Sequence, residues 1–527
     1  MSDRLYWDLQ RKRQTAEFRE DLIHDPGFRL DPCTDLFVST SPFHRLCDLK
    51  QLGTACHKFT SATHTRYAHS LGVAHLANEW ASSIYRHQGQ ELNMEPKDIE
   101  IIELAGACHD LGHGPFSHIF EKEILPGLGI DNFHHEEMSC KMLETAQDQA
   151  CLDEADYNLT SADLQKVKDL IKGHSRPLDK AFMFDIVANS RNGLDVDKLD
   201  YLPRDAYHTV RNIPGDFKRL QHFISVSSDE ICFAESEWSN VQAVYDARRR
   251  MHQEVYQHPR VISTSKMVSD ILVAAEPVLN IRNCIDDPKK FLRLGDSVLQ
   301  TLRSHHGRIQ DNPLLDADGT QERCLSSAMA ILERIERQEY YCLVGECVQP
   351  VNSDKIPTPA DLMKDSTSSG QQLREEDIIV HQACIDFSQR DKNPMDSVSF
   401  LDSKTGQRVN HKQDDYTLLL TKQFQERKLM IFSKSTSIEA QEALAQAWDN
   451  WHKQRFGHQA KNTPSKPDNP KKRRRRSSVS RTLQMNGHGP IAEESGNLDE
   501  ADSDLPLSQE GYQTCSQELM LSQNSLS

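Results

Sequence analysis

Side chains that commonly bind divalent metals come from three separated parts of the sequence. They are His69, the adjacent pair His109 and Asp110, and Asp197. Mixed imidazole and carboxylate donors suit Mn, Fe, Zn or Mg, and such a set leaves positions around the ion for water and substrate. An adjacent His–Asp pair reaches one ion only where the backbone is constrained, and a Gly-rich turn directly follows this pair. The residues therefore predict a divalent metal centre that activates water for hydrolysis.

The pattern of apolar residues predicts the elements around this pair. Apolar side chains recur at helical intervals over residues 101–107, which indicates a helix with Asp98 as its N-cap and His109 near its end. Two glycines and a proline follow, and they should stop the helix and turn the chain tightly. We therefore expect His113 and His118, which lie in this turn, to face the same cleft as His109.

The composition indicates a protein with a large core and an excess of negative charge. Hydrophobic residues make up 37% of the 527 residues, and 62 basic against 79 acidic residues give a formal net charge of −17. A phosphorylated substrate must then meet a local basic pocket, and nucleic-acid binding is not favoured. No apolar run is long enough to span a bilayer, the N-terminus has no secretory signal, and no Cys-x-x-Cys pair occurs. We expect an intracellular protein with reduced thiols and no membrane partner.

The chain is predicted to be mainly α-helical, with a smaller α+β lobe near its C-terminal end. Strand composition marks residues 378–380, 398–400 and 429–432, and a helical pattern spans residues 438–451. Beyond residue 458 no hydrophobic periodicity remains, which is typical of disorder. The predicted segments are a flexible N-terminus (1–20), a helical core (21–349), a linker or surface loop (350–376), the small α+β lobe (377–458) and a disordered tail (459–527).

Six consecutive basic residues lie in the predicted tail. Such a block in a disordered setting fits a nuclear localisation signal, which predicts a nuclear import receptor as a partner and the nucleus, with the cytoplasm as a second compartment, as the location. A solvated charge run with no targeting role is the other interpretation. The block consists of Lys471, Lys472, Arg473, Arg474, Arg475 and Arg476.

Several motifs, in this order and spacing, resemble the HD-domain superfamily. They are more closely similar to the SAM-and-HD-domain deoxynucleoside triphosphate triphosphohydrolases within it. The resemblance implies an HD-domain helical core and runs from about residue 20 to 450. Because no SAM domain precedes it, only the catalytic portion is matched. The motifs lie at residues 51–53, 65–73, 109–118, 192–201, 256–258 and 392–400.

The resemblance implies a reaction and a set of catalytic residues. The reaction is hydrolysis of a dNTP, as in dGTPases, to a deoxynucleoside and inorganic triphosphate by attack at the α-phosphorus. The family's metal ligands match the four residues named above. His118 is expected to transfer a proton to the leaving 5′-oxygen, with His135 as its supporting neighbour. His113 and Glu121 complete the catalytic set.

The resemblance also implies how the substrate is bound. Three cations match phosphate-binding positions, two residues match contacts to the 3′-hydroxyl, and two tyrosines occupy the place of a ribonucleotide's 2′-hydroxyl, which predicts a preference for deoxynucleotides. Two further residues belong to the same substrate-binding set. In this order the residues are Arg66, Lys198 and Arg248; Gln51 and Asp205; Tyr201 and Tyr256; and Leu52 and Gln257.

One departure from the family pattern lies in the catalytic set. Glu121 stands where the family has an aspartate that orients the catalytic histidine. The side chain is one methylene longer, so we expect a shifted histidine or a water-mediated contact, and reduced activity.

A second group of departures concerns effector nucleotides. Ala234, Ser236 and Pro259 stand where the family has an arginine and two lysines, and the guanine-recognising segment differs at Ser39, His44 and Cys47. The resemblance implies a homo-oligomer, either a dimer or a tetramer. These changes predict that regulation by GTP and tetramer assembly driven by dNTPs are altered or absent.

Two other function classes stay open on the sequence. One is an HD phosphohydrolase of another substrate, such as a nucleoside monophosphate, a cyclic nucleotide or a guanosine tetraphosphate. The other is a protein that binds nucleotides or nucleic acid without catalysis. Retention of all four ligands argues against the second class, because buried ligands without an ion are costly unpaired groups.

A titration of dNTP hydrolysis with GTP tests the effector prediction. Three missing cations remove the charge-assisted contacts that an effector's phosphates need, so we expect GTP to leave the initial rate unchanged. Steep activation by GTP would contradict this expectation.

Overall fold

The computed structural model describes residues 16–24, 26–150, 159–176, 179–350, 353, 355–364, 373–402, 404–409 and 421–457. The basic block at 471–476, part of the predicted linker (351–352, 354 and 365–372) and the whole predicted tail from 459 lie outside these residues. All described residues belong to one packed unit.

Helices form most of the described chain, which confirms the prediction of a mainly α protein. The longer ones are α1 (Pro32–Val38), α2 (Arg66–Gln88), α3 (Pro96–Cys108), α4 (His135–Ala150), α5 (Ser161–Lys172), α6 (Ala181–Val187), α7 (Val196–Thr209), α8 (Trp238–Met251), α9 (Pro259–Ala274), α10 (Val298–Asp311), α11 (Thr320–Glu336) and α12 (Ile438–Phe456).

Short helical turns join these helices. The short α-helical pieces are Ser41–His44, Leu125–Gly127, Phe217–Leu220, Glu276–Leu279, Ile281–Cys284, Pro288–Phe291 and Pro359–Lys364, and two π-helical turns span Phe120–Ile124 and His252–Tyr256. Single π turns are frequent at functional sites. Both carry predicted site residues, Glu121 in the first and Tyr256 in the second.

The strands form small sheets. They are β1 (Arg19–Glu20), β2 (Gly27–Phe28), β3 (Ile224–Ser227), β4 (Glu230–Ala234), β5 (Cys342–Val348), β6 (Ile378–Asp386), β7 (Ser399–Leu401), β8 (Arg408–Val409) and β9 (Gln425–Ser433). Their order is β1-β2 in one sheet, β3-β4-β7-β8 in a second and β5-β9-β6 in a third.

The three strands predicted from composition do not share one sheet. β6 and β9 pair antiparallel, with Ile378 opposite Ser433. β7, in contrast, pairs parallel with β4, with Phe400 opposite Phe233. Composition identifies a strand but not its partner, so the placement of residues 398–400 in the small lobe differs from the observed pairing.

The helix that leads into the predicted metal pair packs closely on α2. Gly106 of α3 lies so near α2 that an added Cβ would meet the Ala77 side chain at 3.0 Å. The predicted N-cap is one helical turn too late: Glu95 is the N-cap, and Asp98 at the third helical position completes a capping box with it. The predicted C-terminal end is confirmed, because α3 ends at Cys108 and His109 is its C-cap.

The sheet β5-β9-β6 is covered by α12. Trp448 of α12 sits on Gly345 of β5, where a Cβ would approach the indole to 2.1 Å. Trp448 and Trp451 are both buried and stack with ring centroids 5.6 Å apart.

Among the described residues, no helix is both long and apolar enough to cross a lipid bilayer.

Candidate metal centre and active site

The four predicted metal ligands converge from three helices. His69 lies in the first turn of α2, His109 and Asp110 follow the last residue of α3, and Asp197 lies in the first turn of α7. The side chain of Asp195, the N-cap of α7, accepts a hydrogen bond from the Lys198 N–H, which fixes the start of that helix.

The donor atoms lie within a few ångströms of one another. His69 Nε2 is 3.0 Å from Asp197 Oδ1 and 3.5 Å from Asp110 Oδ2. His109 Nε2 is 3.4 Å from Asp110 Oδ1 and 3.6 Å from Asp197 Oδ1. His69, His109 and Asp197 therefore form a group able to hold a metal ion, with Asp110 alongside.

Both imidazoles present their Nε2 atoms to this centre. Nδ1–H of His69 donates to Asp200 Oδ2 at 2.7 Å, and Nδ1–H of His109 donates to the Gly106 carbonyl at 2.7 Å. These contacts hold each ring so that its Nε2 points at the centre, where a metal ion can replace a proton. Among the described residues, the buried Nε2 of His109 has no hydrogen-bond partner. An unsatisfied buried nitrogen and clustered carboxylates fit a bound divalent cation.

The charges at the centre compensate one another. Burial alone would lower the pKa of His69, but hydrogen bonds to Asp197 and Asp200 outweigh it and raise that pKa to about 10. Burial alone would raise the pKa of Asp197, but the imidazoles of His109 and His69 hold it well below its usual range. Protons on the imidazoles thus balance the carboxylates, and a metal ion would take their place.

Arg66, which was predicted to bind phosphate, instead pairs with a metal ligand. Its guanidinium is buried, pairs with Asp110 Oδ2, and donates from Nε to Ser117 Oγ at 2.8 Å. Although burial opposes ionisation of Asp110, this guanidinium and the imidazoles of His109 and His113 keep its pKa well below the usual range. Arg66 therefore holds a metal ligand in its ionised form.

The predicted catalytic histidines form a second cluster beside the centre. The His113 and His135 rings stack with centroids 4.0 Å apart, and the His118 ring lies edge-on to both at 4.9 and 5.9 Å. His113 Nε2 is 3.2 Å from Asp110 Oδ1, which joins the two clusters. Nδ1–H of His135 donates directly to Glu121 Oε2 at 2.8 Å. The longer Glu121 side chain thus needs no water to reach an imidazole.

His118 faces solvent, whereas His113 is buried. Partial desolvation where the ring packs against His113 and His135, together with the nearby charges of Arg66, Lys122 and His135, lowers the pKa of His118 below its usual range. At neutral pH the His118 ring is therefore neutral and able to accept a proton.

The turn that carries these histidines is strained and is held by distant residues. Phe116 and Ser117 have φ values of 60° and 61°, which non-glycine residues rarely adopt. The Phe116 N–H donates to Asp296 Oδ1 at 2.7 Å, and Ser117 Oγ–H donates to the Lys50 carbonyl at 2.8 Å. Gly112 has no room for a side chain, because a Cβ would lie 2.1 Å from the His135 carbonyl oxygen.

The predicted 3′-hydroxyl site is built around Asp205. Tyr256 donates its hydroxyl to Asp205 Oδ2 at 2.7 Å, and His64 Nε2–H donates to Asp205 Oδ1 at 2.7 Å. Oε1 of Gln51 is buried and has no hydrogen-bond partner among the described residues. An acceptor in this state suits a hydroxyl donor from a ligand.

Lys198, Tyr201 and Arg248 form a further group next to the metal ligands. The Tyr201 ring lies 6.4 Å from the His69 ring, and burial raises the pKa of Tyr201 to about 12 although Lys198 and Arg248 oppose this. Both cations have acidic partners: Lys198 Nζ is 3.3 Å from Asp195 Oδ2, and Arg248 Nη1 is 2.6 Å from Asp386 Oδ1. Their positive charge is thus partly neutralised by these carboxylates.

The last two predicted substrate residues lie at the edges of the site. Leu52 is half-buried and packs against the core, and Gln257 accepts at Oε1 from His381 Nε2–H at 3.2 Å. Within the described part of the chain, no other side-chain hydrogen bond defines a role for either residue.

Sequence reasoning missed three residues that hold the site together: Asp200, His64 and Asp296. A signal existed for Asp200, because it follows Asp197 by three residues and so lies one helical turn further along α7. His64 and Asp296 have no such signal. They reach Asp205 and Phe116, which are 141 and 180 residues away in sequence.

Comparison with known proteins agrees with this geometry. The HD domain family matches residues 66–205, which include all four predicted metal ligands. The deoxynucleoside triphosphate triphosphohydrolase SAMHD1 homolog of Dictyostelium discoideum is 36% identical over 429 residues, or 80% of this chain and 78% of that protein. Deoxynucleoside triphosphate triphosphohydrolase SAMHD1 of Mus musculus is 29% identical over 83% of this chain and 73% of its own length. The Homo sapiens protein of the same name is 29% identical over 84% and 75%.

The helical fold, the histidine–aspartate centre and the HD-domain match define the chain as an HD-domain protein. The length and the sequence identity of the alignments define a narrower family within this class. The chain belongs to the deoxynucleoside triphosphate triphosphohydrolase SAMHD1 family, which confirms the resemblance seen in the motifs.

Gly112→Ala tests the packing of the catalytic turn. The added methyl group would collide with the backbone of His135 and Ser139, so we expect a loss of about 1–3 kcal/mol in the free energy of unfolding together with loss of hydrolysis. The matched control is Gly307→Ala in α10, where a Cβ meets nothing within 4 Å. It should stabilise the protein by about 0.4–1 kcal/mol. Equal stability of both variants, measured by denaturant unfolding, would contradict the account of the turn.

Proposed function

We propose that the chain is a metal-dependent hydrolase that converts dNTPs to deoxynucleosides and inorganic triphosphate by attack at the α-phosphorus. The observation that carries the proposal is the convergence of His69, His109, Asp110 and Asp197 from three helices in a member of the SAMHD1 family. The direct contact between the metal-ligand cluster and the histidine cluster, through Asp110 and His113, supports a proton-transfer role for the histidines.

The donor set fits a divalent cation, and its four members would hold it. When bound, such an ion polarises a phosphoryl oxygen and lowers the pKa of a water molecule. The protein's own part is to orient the ligands: Asp200 and the Gly106 carbonyl aim the two imidazoles, and Arg66 keeps Asp110 ionised. This set of donors is suited to Mn, Fe, Zn or Mg.

Proton transfer to the leaving 5′-oxygen falls to the histidine cluster. Glu121 holds the Nδ1–H of His135, so the Nε2 of His135 is left as an acceptor. His118 lies edge-on to that ring and is the most exposed member of the cluster. We assign the proton transfer to His118 and its orientation to His135. The negative charge of the bound triphosphate favours the protonated form of the His118 ring, which then donates its proton to the departing 5′-oxygen.

Binding of the triphosphate falls to Lys198 and Arg248. Each cation exchanges part of its contact with Asp195 or Asp386 for phosphate oxygens, and Arg248 offers the bidentate geometry that phosphate prefers. Arg66 contributes its charge from behind Asp110. The whole protein has a net charge of −17, which disfavours binding of a polyanion elsewhere on its surface. The triphosphate therefore binds where these cations are concentrated.

Selection of the sugar falls to Asp205, Gln51 and the two tyrosines. The unpartnered Gln51 Oε1 and the carboxylate of Asp205 are acceptors suited to a 3′-hydroxyl. Tyr256 donates its hydroxyl to Asp205, which fixes its ring beside the acceptors proposed for the 3′-hydroxyl and supports a role in excluding a 2′-hydroxyl. A ribonucleotide is thus disfavoured by exclusion.

Product analysis tests the proposal. Incubation of the purified protein with each dNTP and Mn²⁺ or Mg²⁺ should release deoxynucleoside and inorganic triphosphate, separated by chromatography, and GTP should be a poorer substrate than dGTP. Asp197→Asn should abolish turnover. The control Asp246→Asn, which neutralises a carboxylate of α8 instead, should leave turnover unchanged. Survival of all four dNTPs while a nucleoside monophosphate or cyclic nucleotide is cleaved would instead support an HD phosphohydrolase of another substrate.

We also propose that the enzyme acts as a homo-oligomer, a dimer or tetramer as the resemblance implies, and that the basic block at residues 471–476 directs it to the nucleus. A fluorescent fusion should be concentrated in the nucleus, and replacement of the six basic residues by alanine should spread it into the cytoplasm. An unchanged distribution would contradict the assignment of the block as an import signal.

A further inference from the structure

Asp200 is buried behind the metal centre, where it contacts the metal ligand His69. It lies one helical turn after Asp197 on α7 and is completely buried, with 0% of its surface exposed. Oδ2 accepts from His69 Nδ1–H at 2.7 Å and from Arg204 Nε at 2.9 Å. Oδ1 accepts from Arg204 Nη2 at 2.8 Å and from His24 Nε2–H at 2.7 Å. A buried charge with this many donors is fixed in position.

The contact with Asp200 distinguishes His69 from the other imidazole of the centre. His109 is oriented by a neutral backbone carbonyl, whereas His69 is oriented by a carboxylate. A carboxylate partner fixes the ring and makes Nε2 a stronger ligand. The orientation of His69, which is only 1% exposed, therefore depends on where Asp200 is held.

The N-terminal segment holds Asp200 from the other side. Asp21 Oδ1 accepts from the backbone N–H groups of Ile23 and His24 at 2.8 and 2.9 Å, which forms a tight turn that presents the His24 ring to Asp200. The other oxygen of Asp21 pairs with Arg204 Nη1 at 3.0 Å. Asp21 and His24 thus contact both members of the Asp200–Arg204 pair.

The packing of α2 makes room for this arrangement. Gly72, three residues after His69, lies so close that an added Cβ would be 2.0 Å from Asp200 Oδ1 and 2.6 Å from Arg204 Nη2. Any larger residue would push Asp200 away from His69. Three chain segments, residues 21–24, α2 and α7, therefore meet at one carboxylate behind a single metal ligand.

We propose that Asp200 is a positioning residue for the metal ligand His69, and that the N-terminal segment, through His24 and Asp21, sets metal affinity by holding Asp200 in place. The inference rests on the metal centre of the proposed function and not on the identity of the substrate. It gives residues 21–24, which lie more than forty positions before the first ligand, a part in retaining the ion.

Equilibrium dialysis against Mn²⁺, with metal content measured by mass spectrometry, tests this inference without any assay of activity. Asp200→Asn keeps the size of the side chain but loses its charge, and it should weaken Mn²⁺ binding by about tenfold to hundredfold. The matched control is Asp185→Asn, which neutralises another buried carboxyl of the helical core, on α6, that bonds to the Ile231 N–H and not to the centre. It should bind Mn²⁺ like the unmodified protein.

Variants of His24 test the N-terminal part. His24→Ala removes the donor to Asp200 and should weaken Mn²⁺ binding by a smaller factor, whereas His24→Gln keeps a donor and should restore most of the affinity. Excess Mn²⁺ should return the turnover number of His24→Ala towards that of the unmodified protein and leave its KM unchanged, which loss of folding would not allow. Thermal unfolding in the presence of a chelator reports the integrity of each variant.

The outcomes separate the inference from the proposed function. Failure of the unmodified protein to bind Mn²⁺ would remove the proposed metal centre itself. Unaltered binding by a folded Asp200→Asn variant would overturn the role of Asp200. Unaltered binding by His24→Ala would overturn the role of the N-terminal segment, and this variant decides the matter should Asp200→Asn not fold.

Discussion

The site depends on the compensation of charge among ionisable side chains that are buried away from water. Asp110, Asp197 and Asp200 lie within reach of one ligand, His69, and carboxylates this close repel one another strongly in a low-dielectric interior. Each is compensated by a specific donor: Arg66 for Asp110, the two imidazoles for Asp197, and Arg204 with His24 for Asp200. The arrangement fits a centre whose balance is completed by a divalent cation.

Rigidity around the centre comes from residues distant in sequence. Asp296 binds the Phe116 N–H, and Ser117 links the turn to Lys50 and Arg66, so that the backbone strain of the turn is held by its surroundings. The helix pair α2 and α3 supplies the close packing that fixes His69 against His109. Metal ligands and catalytic histidines thus share one framework, and Asp110 belongs to both through His113.

The features that could be predicted from the sequence are local. Periodicity indicated the helix that ends at His109, the glycines and proline indicated the turn after it, and strand composition found residues 378–380 and 429–432. The features that could not be predicted depend on contacts across the fold. Composition did not show that residues 399–401 pair with β4, nor that Arg66 would face Asp110, nor that Asp296 would hold the catalytic turn. The motifs indicated which residues belong together, but not which residues behind them hold them in place.

Anomalous diffraction from crystals grown with Mn²⁺ tests the central claim most directly. Data collected on both sides of the manganese absorption edge should show a peak about 2.0–2.3 Å from His69 Nε2, His109 Nε2 and one carboxylate oxygen each of Asp110 and Asp197. The account would be contradicted by an ion held instead by Glu121, His135 and Glu136, a neighbouring group of donors. It would equally be contradicted by an unoccupied centre whose four side chains point apart.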